Sequence, residues 1–192
     1  MSMLSLVVRP ELAPHRPQAK LAQYLHVYVA PASTGGLGLF TARPLAKGDV
    51  ALRVTDARYL SRAMSRSQLV WQGYTHADIF QVGPDLFIPP YGGPDDFTNH
   101  SCDPTCGLRV GGDGFSMLAL RDLPAGTELT YDYSTHQEHG AEDMECLCGS
   151  PLCRGVVRSF STLPEPLRRR YAALGVVAPF ALAAAGMAPG GH

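Results

Sequence analysis

A mainly β fold with short helices, carried by one domain with tails, is what this sequence predicts, and three observations carry the prediction. Short runs rich in β-branched and aromatic residues recur along the chain, each closed by turn residues drawn from 20 Gly and 16 Pro. Helical composition is convincing only over 57–73 and in a short segment around Arg168–Leu174. A length of 192 residues supports one domain with a real core and would leave two cramped. Hydrophobic residues at 45% against 17% charged place the chain among ordinary soluble globular proteins. A net charge of -1 offers no basic face, so direct nucleic-acid binding is not expected.

Residues 1–23 are punctuated by proline and read as an N-terminal extension. Their apolar run Leu4–Val8 is cut by Arg9-Pro10-Glu11 and is too brief for a signal segment. The longest apolar stretch, Val176–Ala185, is broken by Pro179 and falls short of the ~20 residues of a membrane span. The expected location is cytoplasmic, with secretion by a non-classical route left open.

A strand is expected over Tyr24–Ala30, ending at Pro31, with His26 a packing or surface residue. Gly36-Leu37-Gly38-Leu39-Phe40-Thr41 invites a dinucleotide-loop reading, which fails: Thr41 stands at the third glycine position and Pro44 where a helix would run. The glycines instead suit close approach to a ligand or to another strand. Arg43–Val50 and Arg121–Glu128 echo each other, with Arg, Leu and Gly at matched offsets, and each reads as strand, glycine turn, strand. A helix is expected over 57–73, with Ser61, Ser65 and Ser67 as candidate caps. Ile79–Val82 and Leu86–Ile88 then form a hairpin about Gly83-Pro84-Asp85, and Gly92–Asp96 is a loop leading to Asn99.

Asn99-His100-Ser101-Cys102-Asp103-Pro104 has the composition of a tight polar turn, with a thiol in its middle. The five cysteines, at 102, 106, 146, 148 and 153, make a poor disulfide framework. Cys146, Cys148 and Cys153 supply three of the four ligands of a structural zinc. Cys102, expected to be exposed in its turn, is the better placed of the other two. Cys106 reads as a small buried hydrophobe.

Taken together, these residues resemble the SET-domain protein lysine methyltransferases. Gly36-Leu37-Gly38 matches the family's first motif, Asn99–Pro104 its N-H-S-C-x-P signature, and Glu128-Leu129-Thr130-Tyr131-Asp132-Tyr133 its E-L-T-Y-D-Y strand. Cys146–Gly155 is similar to the post-SET segment, and the tail Phe160–Pro164 with Arg170-Tyr171 is similar to that of small stand-alone bacterial members. The resemblance implies several small sheets with a pseudoknot, followed by a zinc-ordered post-SET segment. It divides the chain into an extension (1–23), SET domain (24–135), post-SET segment (136–160) and a C-terminal helix with flexible tail (161–192).

The function implied is transfer of a methyl group from S-adenosylmethionine to a lysine of a protein substrate. By the match, Gly36, Leu37, Gly38, Asn99 and His100 bind the cofactor, with Leu147 and Phe160 as apolar cover. Tyr133 is the catalytic tyrosine. Tyr131 takes the place where a hydroxyl limits the methyl count, which implies monomethylation. One zinc is held by Cys102, Cys146, Cys148 and Cys153. In a strand, Tyr131 and Tyr133 would share one side and Asp132 the other. Two residues depart from the family pattern: Thr105 where Asn is usual, and Asp96 where many members carry Arg. Glu138, Glu142, Asp143 and Glu145 form an acidic loop that either attracts a basic tail of the substrate or is simply solvated, and His136 and His139 are expected to be solvated there. The competing class is a non-catalytic, zinc-ordered module that binds peptide or cofactor. The oligomeric state is left open.

Overall fold

The computed structural model describes residues 26–55, 60–74, 79–111, 114–138 and 143–188. The N-terminal extension, Tyr24, Leu25, His139 and Glu142 lie outside these. Among the described residues the secondary structure is mostly short strands in small sheets, none with more than three strands. Hairpin-forming strands β1 (Val27–Pro31) and β2 (Leu37–Thr41) pair antiparallel with Val29 opposite Leu39. In β3 (Val50–Thr55), Leu52 and Val54 turn inward while Arg53 is exposed, the alternation of a half-buried strand.

Of the helix expected over 57–73, residues 57–59 lie outside the described residues; helix α1 spans Arg66–Trp71, and Met64 before it is drawn into a β-bridge with Phe87. Ser65 caps it through a reciprocal arrangement with Gln68. The expected hairpin follows as β4 (Phe80–Gly83) and β5 (Leu86–Ile88). Next come β6 (Asn99–His100), β7 (Cys106–Gly111), β8 (Gly114–Ala119) and β9 (Thr130–Tyr131). Strands β3, β8 and β7 form the antiparallel sheet that carries the core. Leu39, Leu52, Leu108, Met117 and Leu129 are each at most 2% exposed there. Each such side chain contributes roughly 1.5–3 kcal/mol by leaving water.

The two echoed segments do not close hairpins of their own; they clasp each other. Leu45 and Leu123 exchange both backbone hydrogen bonds at 2.8 Å. Gly48 N–H donates to the Ala119 carbonyl at 2.8 Å, and Gly126 N–H donates to the Thr41 carbonyl at 2.7 Å. The pattern is a local two-fold. Both glycines sit at positive φ, 91° and 80°, which is why each echo needs glycine at that offset.

Beyond the thiols, β10 (Met144–Glu145) pairs with β11 (Val156–Val157). Helix α2 (Glu165–Ala173) takes the place of the expected C-terminal helix, and a second, α3 (Pro179–Ala184), occupies part of the stretch expected as tail. They bury Phe160, Tyr171, Val176, Ala178 and Ala181 in a cluster of their own. Val176 packs on β7 where Gly107 leaves room: a Cβ there would lie 2.6 Å from Val176 Cγ1. Among the described residues no helix is long and apolar enough to cross a membrane.

Candidate functional site

Three separate stretches of sequence meet at the Asn99 side chain. Strand β6 lies parallel to β9, with Asn99 opposite Thr130 and His100 opposite Tyr131. Asn99 Nδ2 donates to the Leu37 carbonyl at 3.0 Å and to Glu128 Oε1 at 2.8 Å. Gly38 lies beneath that carboxylate, and a Cβ built on it would come within 2.5 Å of Glu128 Oε1. The close approach at Gly38 in this structure is to a side chain from the far end of the domain. Thr105 secures the same crossing: its Oγ1 donates to the Glu128 carbonyl at 2.9 Å and accepts from Thr130 N–H at 2.8 Å. Asp96 turns onto its own loop, where Oδ2 accepts the N–H groups of Tyr91, Gly92 and Gly93 at 2.6–3.1 Å.

Tyr131 and Tyr133 line one cavity of about 140 Å³ with Phe80, Ile88, Thr98 and Met117. Strand β9 ends at Tyr131, and Tyr133 opens a 3-10 turn, Tyr133–His136, capped by the Asp132 side chain. The rings still stand on one wall, with centroids 4.8 Å apart, and Asp132 is buried. Tyr133 Oη donates to the Thr98 carbonyl at 2.7 Å. Burial pushes its pKa above the ordinary phenol value, so it stays a neutral hydroxyl.

His136 is not solvated. It is 1% exposed, lines the same cavity and stacks on Phe80 at 5.4 Å and 28°. Glu138 is 2% exposed, and its carboxylate accepts Ser161 N–H at 2.6 Å and Ser161 Oγ at 3.0 Å. Asp143 pairs with Arg158 at 2.9 Å. Of the acidic loop's described members, only Glu145 is left exposed without a described ion pair.

The thiols converge as the sequence spacing requires. Cys102 Sγ lies 3.7 Å from Cys146 Sγ, and Cys153 Sγ 3.6 Å from Cys146 Sγ. Cys148 joins them, in a group with Cys102, Cys146 and His100 whose ligand atoms all lie within 4.8 Å of one another and could hold a metal ion. Cys102 is 5% exposed, not open in a turn, because residues 146–157 fold over it. Arg154 N–H donates to Cys102 Sγ and Gly155 N–H to Cys153 Sγ, both at 3.4 Å. Burial raises the thiols of Cys102 and Cys146. It also opposes ionisation of Cys148, but hydrogen bonds from neighbouring backbone and thiols outweigh it and hold that group at about 7. Cys106 is fully buried, as expected.

His100 is the nitrogen member of this group. Tyr133 N–H donates to His100 Nδ1 at 3.1 Å, and a backbone N–H can only donate. Burial holds the imidazole neutral, its pKa pushed down to about 4, so its proton sits on Nε2. Nε2, 3.3 Å from Cys102 Sγ, is then the donor of an N–H···S hydrogen bond; Cys153, 3.6 Å from Cys146 Sγ, is the remaining thiol beside the group.

The SET domain is matched over residues 36–134, just over half of the chain. This chain belongs to the SET-domain family. Among its relatives are histone-lysine N-methyltransferases described as H3 lysine-4 specific. The one from Schizosaccharomyces pombe is 30% identical over 142 residues, covering 70% of this chain and 15% of that protein. The one from Saccharomyces cerevisiae is 46% identical over 107 residues, 52% of this chain and 9% of that protein. Histone-lysine N-methyltransferase ash1 of Drosophila melanogaster is 32% identical over 143 residues, 69% of this chain and 6% of that protein. The chain thus spans less than a sixth of the length of these relatives.

Inside the SET domain match lie Gly36, Leu37, Gly38, Asn99, His100, Cys102, Tyr131 and Tyr133; the other three thiols of the cluster follow it. Leu147 is 71% exposed beside those thiols, whereas Phe160 is fully buried in the C-terminal cluster. The residue that sequence reasoning missed here is Asp132. Its Oδ1 accepts Arg154 Nη2 at 2.8 Å and Ser134 N–H at 3.1 Å, and its Oδ2 accepts Tyr171 Oη at 3.0 Å. One carboxylate therefore joins the SET domain, the thiol segment and α2. The available signal was its placement alone, an acid between two tyrosines at the start of a turn.

Proposed function

We propose that this SET domain transfers a methyl group from S-adenosylmethionine to a lysine side chain of a protein, mainly once per lysine. The observation that carries the reading is the paired wall of Tyr131 and Tyr133 in a narrow cavity, with the Tyr133 hydroxyl fixed on the Thr98 carbonyl. Gly36, Leu37, Gly38 and Asn99 would hold the cofactor, with the His100 backbone beside them. Asn99 fits that task because both of its N–H bonds go to protein, at Leu37 and Glu128, which leaves its amide oxygen for a ligand donor. Exposed Leu147 supplies apolar cover nearby. When bound, S-adenosylmethionine supplies an activated methyl group for in-line displacement by an amine.

The residues of the chain have three tasks. They must dry the amine, aim it, and exclude alternatives. Keeping a lysine neutral at pH 7 costs about 4.6 kcal/mol against a pKa of about 10.4. An apolar channel lowers that cost because burial disfavours the ammonium form. Aiming an amine at its target is worth roughly 7 to 11 kcal/mol. Tyr133, neutral and already donating to Thr98, presents only oxygen lone pairs to the reacting centre and shapes its position. Tyr131 narrows the space available to a methylated nitrogen, which favours monomethyl product.

Zinc is the metal the thiol cluster suits. Tetrahedral thiolate coordination at Zn–S of about 2.3 Å has S···S edges of about 3.8 Å, close to the 3.6 and 3.7 Å found here. Cys102, Cys146, Cys148 and Cys153 would hold it, and the ion would fix the segment carrying Leu147 against the SET domain. The names of the relatives make histone H3 the first protein acceptor to try. The test is transfer of labelled methyl groups to recombinant H3 and to a protein lysate, with products read by mass spectrometry. Monomethyl-lysine formed by the wild type and lost in Tyr133→Phe, with folding unchanged by circular dichroism, is expected. Cofactor binding by calorimetry with no transfer to any protein, the chain itself included, would favour a non-catalytic module.

A further inference from the structure

Two residues lining the cavity carry a buried side-chain polar atom with no partner among the described residues, Thr98 at Oγ1 and His136 at Nε2, and only the second is a ring nitrogen with a fixed lone pair. His136 is 1% exposed, and its Nε2 makes no hydrogen bond among the described residues. Leaving a buried nitrogen unpaired carries a desolvation cost that a hydrogen-bond donor in the cavity would relieve. The protonation of this ring follows from its neighbours. Thr135 Oγ1 donates its only proton to the Asp132 carbonyl at 2.7 Å, since a carbonyl can only accept. The same oxygen lies 2.9 Å from His136 Nδ1, so in that contact the donor is Nδ1–H. Burial keeps the imidazole neutral, with its pKa pushed down to about 3. Nε2 is therefore a bare lone pair. The ring is held on two sides, stacked on Phe80 and edge-on to Tyr131 with centroids 5.9 Å apart.

We propose that His136 Nε2 accepts a hydrogen bond from the amino group of the target lysine and so positions it beside Tyr131, an inference that rests on the lysine methyl-transfer reading. An amine attacking a methyl group must aim its lone pair at the carbon, which leaves its N–H bonds to be held by the channel. No proton passes to the imidazole; the nitrogen is a fixed acceptor. The consequence is selectivity by hydrogen count. An unmodified amine offers two N–H bonds, a monomethyl amine one and a dimethyl amine none. An obligate acceptor at the wall thus favours the first transfer and disfavours the third, acting with the narrow space beside Tyr131.

Two substitutions separate this role from packing. His136→Phe keeps an aromatic ring against Phe80 and removes the lone pair. His136→Gln restores an acceptor near the position of Nε2. With H3-tail peptides carrying unmodified or dimethylated lysine, His136→Phe is expected to lower kcat/KM for the unmodified peptide about tenfold and to shift products toward higher methylation. His136→Gln is expected to recover both. Independently of turnover, nitrogen NMR of labelled wild type should show a protonated Nδ1 and a bare Nε2 whose resonance moves on adding n-butylamine. A His136→Phe protein with wild-type product distribution and kcat/KM would overturn the inference. So would an Nε2 resonance indifferent to butylamine, the result a resident water alone would give. If butylamine shifts Nε2 but no protein is methylated, the amine site stands and the methyl-transfer reading falls.

Discussion

Asp132→Asn tests whether one carboxylate holds three parts of the molecule together. The substitution preserves shape, and an amide oxygen at Oδ1 still accepts from Arg154 and Ser134, while Tyr171 can rotate its hydroxyl to accept from the new amide. What is lost is charge. The Asp132 side chain is fully buried and that of Arg154 is 19% exposed, so the ion pair is only partly screened by water. A hydrogen bond to a charged partner is worth about 1.5–3 kcal/mol. Removing a partner of a fully buried pair costs roughly 3–5 kcal/mol. The partial exposure of Arg154 places the expectation near the overlap, about 2–3 kcal/mol. At roughly 2–4 °C per kcal/mol for a chain of this size, Tm should fall by about 5–10 °C. Scanning calorimetry of zinc-loaded protein measures it. Because Arg154 N–H also donates to Cys102 Sγ, the variant should give up zinc to a chromophoric chelator faster than wild type. A Tm within about 2 °C of wild type together with unchanged zinc release would refute the idea of a shared anchor.

Gly38→Ala should leave the fold intact but push Glu128 off Asn99, weakening S-adenosylmethionine binding about tenfold by calorimetry. Cys102→Ser should weaken zinc and cofactor binding together, since Cys102 lies three residues from Asn99 in one turn; loss of either alone, by metal analysis and calorimetry, would break that coupling. His136 makes a stability prediction with a definite sign. Its folded pKa, about 3, lies below the unfolded value of 6.5, so the unfolded chain binds a proton that the folded one excludes. The wild type should lose stability relative to His136→Phe as pH falls below 6.5, by about 1.4 kcal/mol per unit. Urea melts at pH 7 and pH 5 would show the stability difference between the two proteins to be pH-independent if His136 were exposed.

The parts of the site that were legible in the sequence are those whose chemistry is local. The order of glycine pair, Asn99 turn and tyrosine strand, and the spacing of the thiols, gave the family expectation and the cluster. Burial was not legible, because it is imposed by distant partners. His136 and Glu138 sit in a polar stretch that reads as solvated, yet Phe80 covers one and Ser161 donates two hydrogen bonds to the carboxylate of the other. Cys102 reads as exposed until residues 146–157 are folded over it. Tyr131 and Tyr133 reached the same wall by a route that alternation did not describe, through a 3-10 turn that begins where the strand stops. Asp96 breaks the family pattern in sequence, but its carboxylate is occupied by three backbone N–H groups of its own loop.

The mutual clasp of the echoed turns has a kinetic meaning. Neither turn supplies the acceptor for its own glycine amide: Gly48 depends on Ala119 and Gly126 on Thr41. The contact is non-local and closes a long loop, so it is expected to form late in folding, after the intervening strands have collapsed. Once formed, the two amides belong to a single opening unit. In native-state hydrogen exchange Gly48 and Gly126 should exchange with matched free energies and respond equally to denaturant, although they lie in opposite halves of the domain. A destabilising change placed in either turn would then be read out at the other, which makes the clasp a built-in reporter of whether both halves have folded.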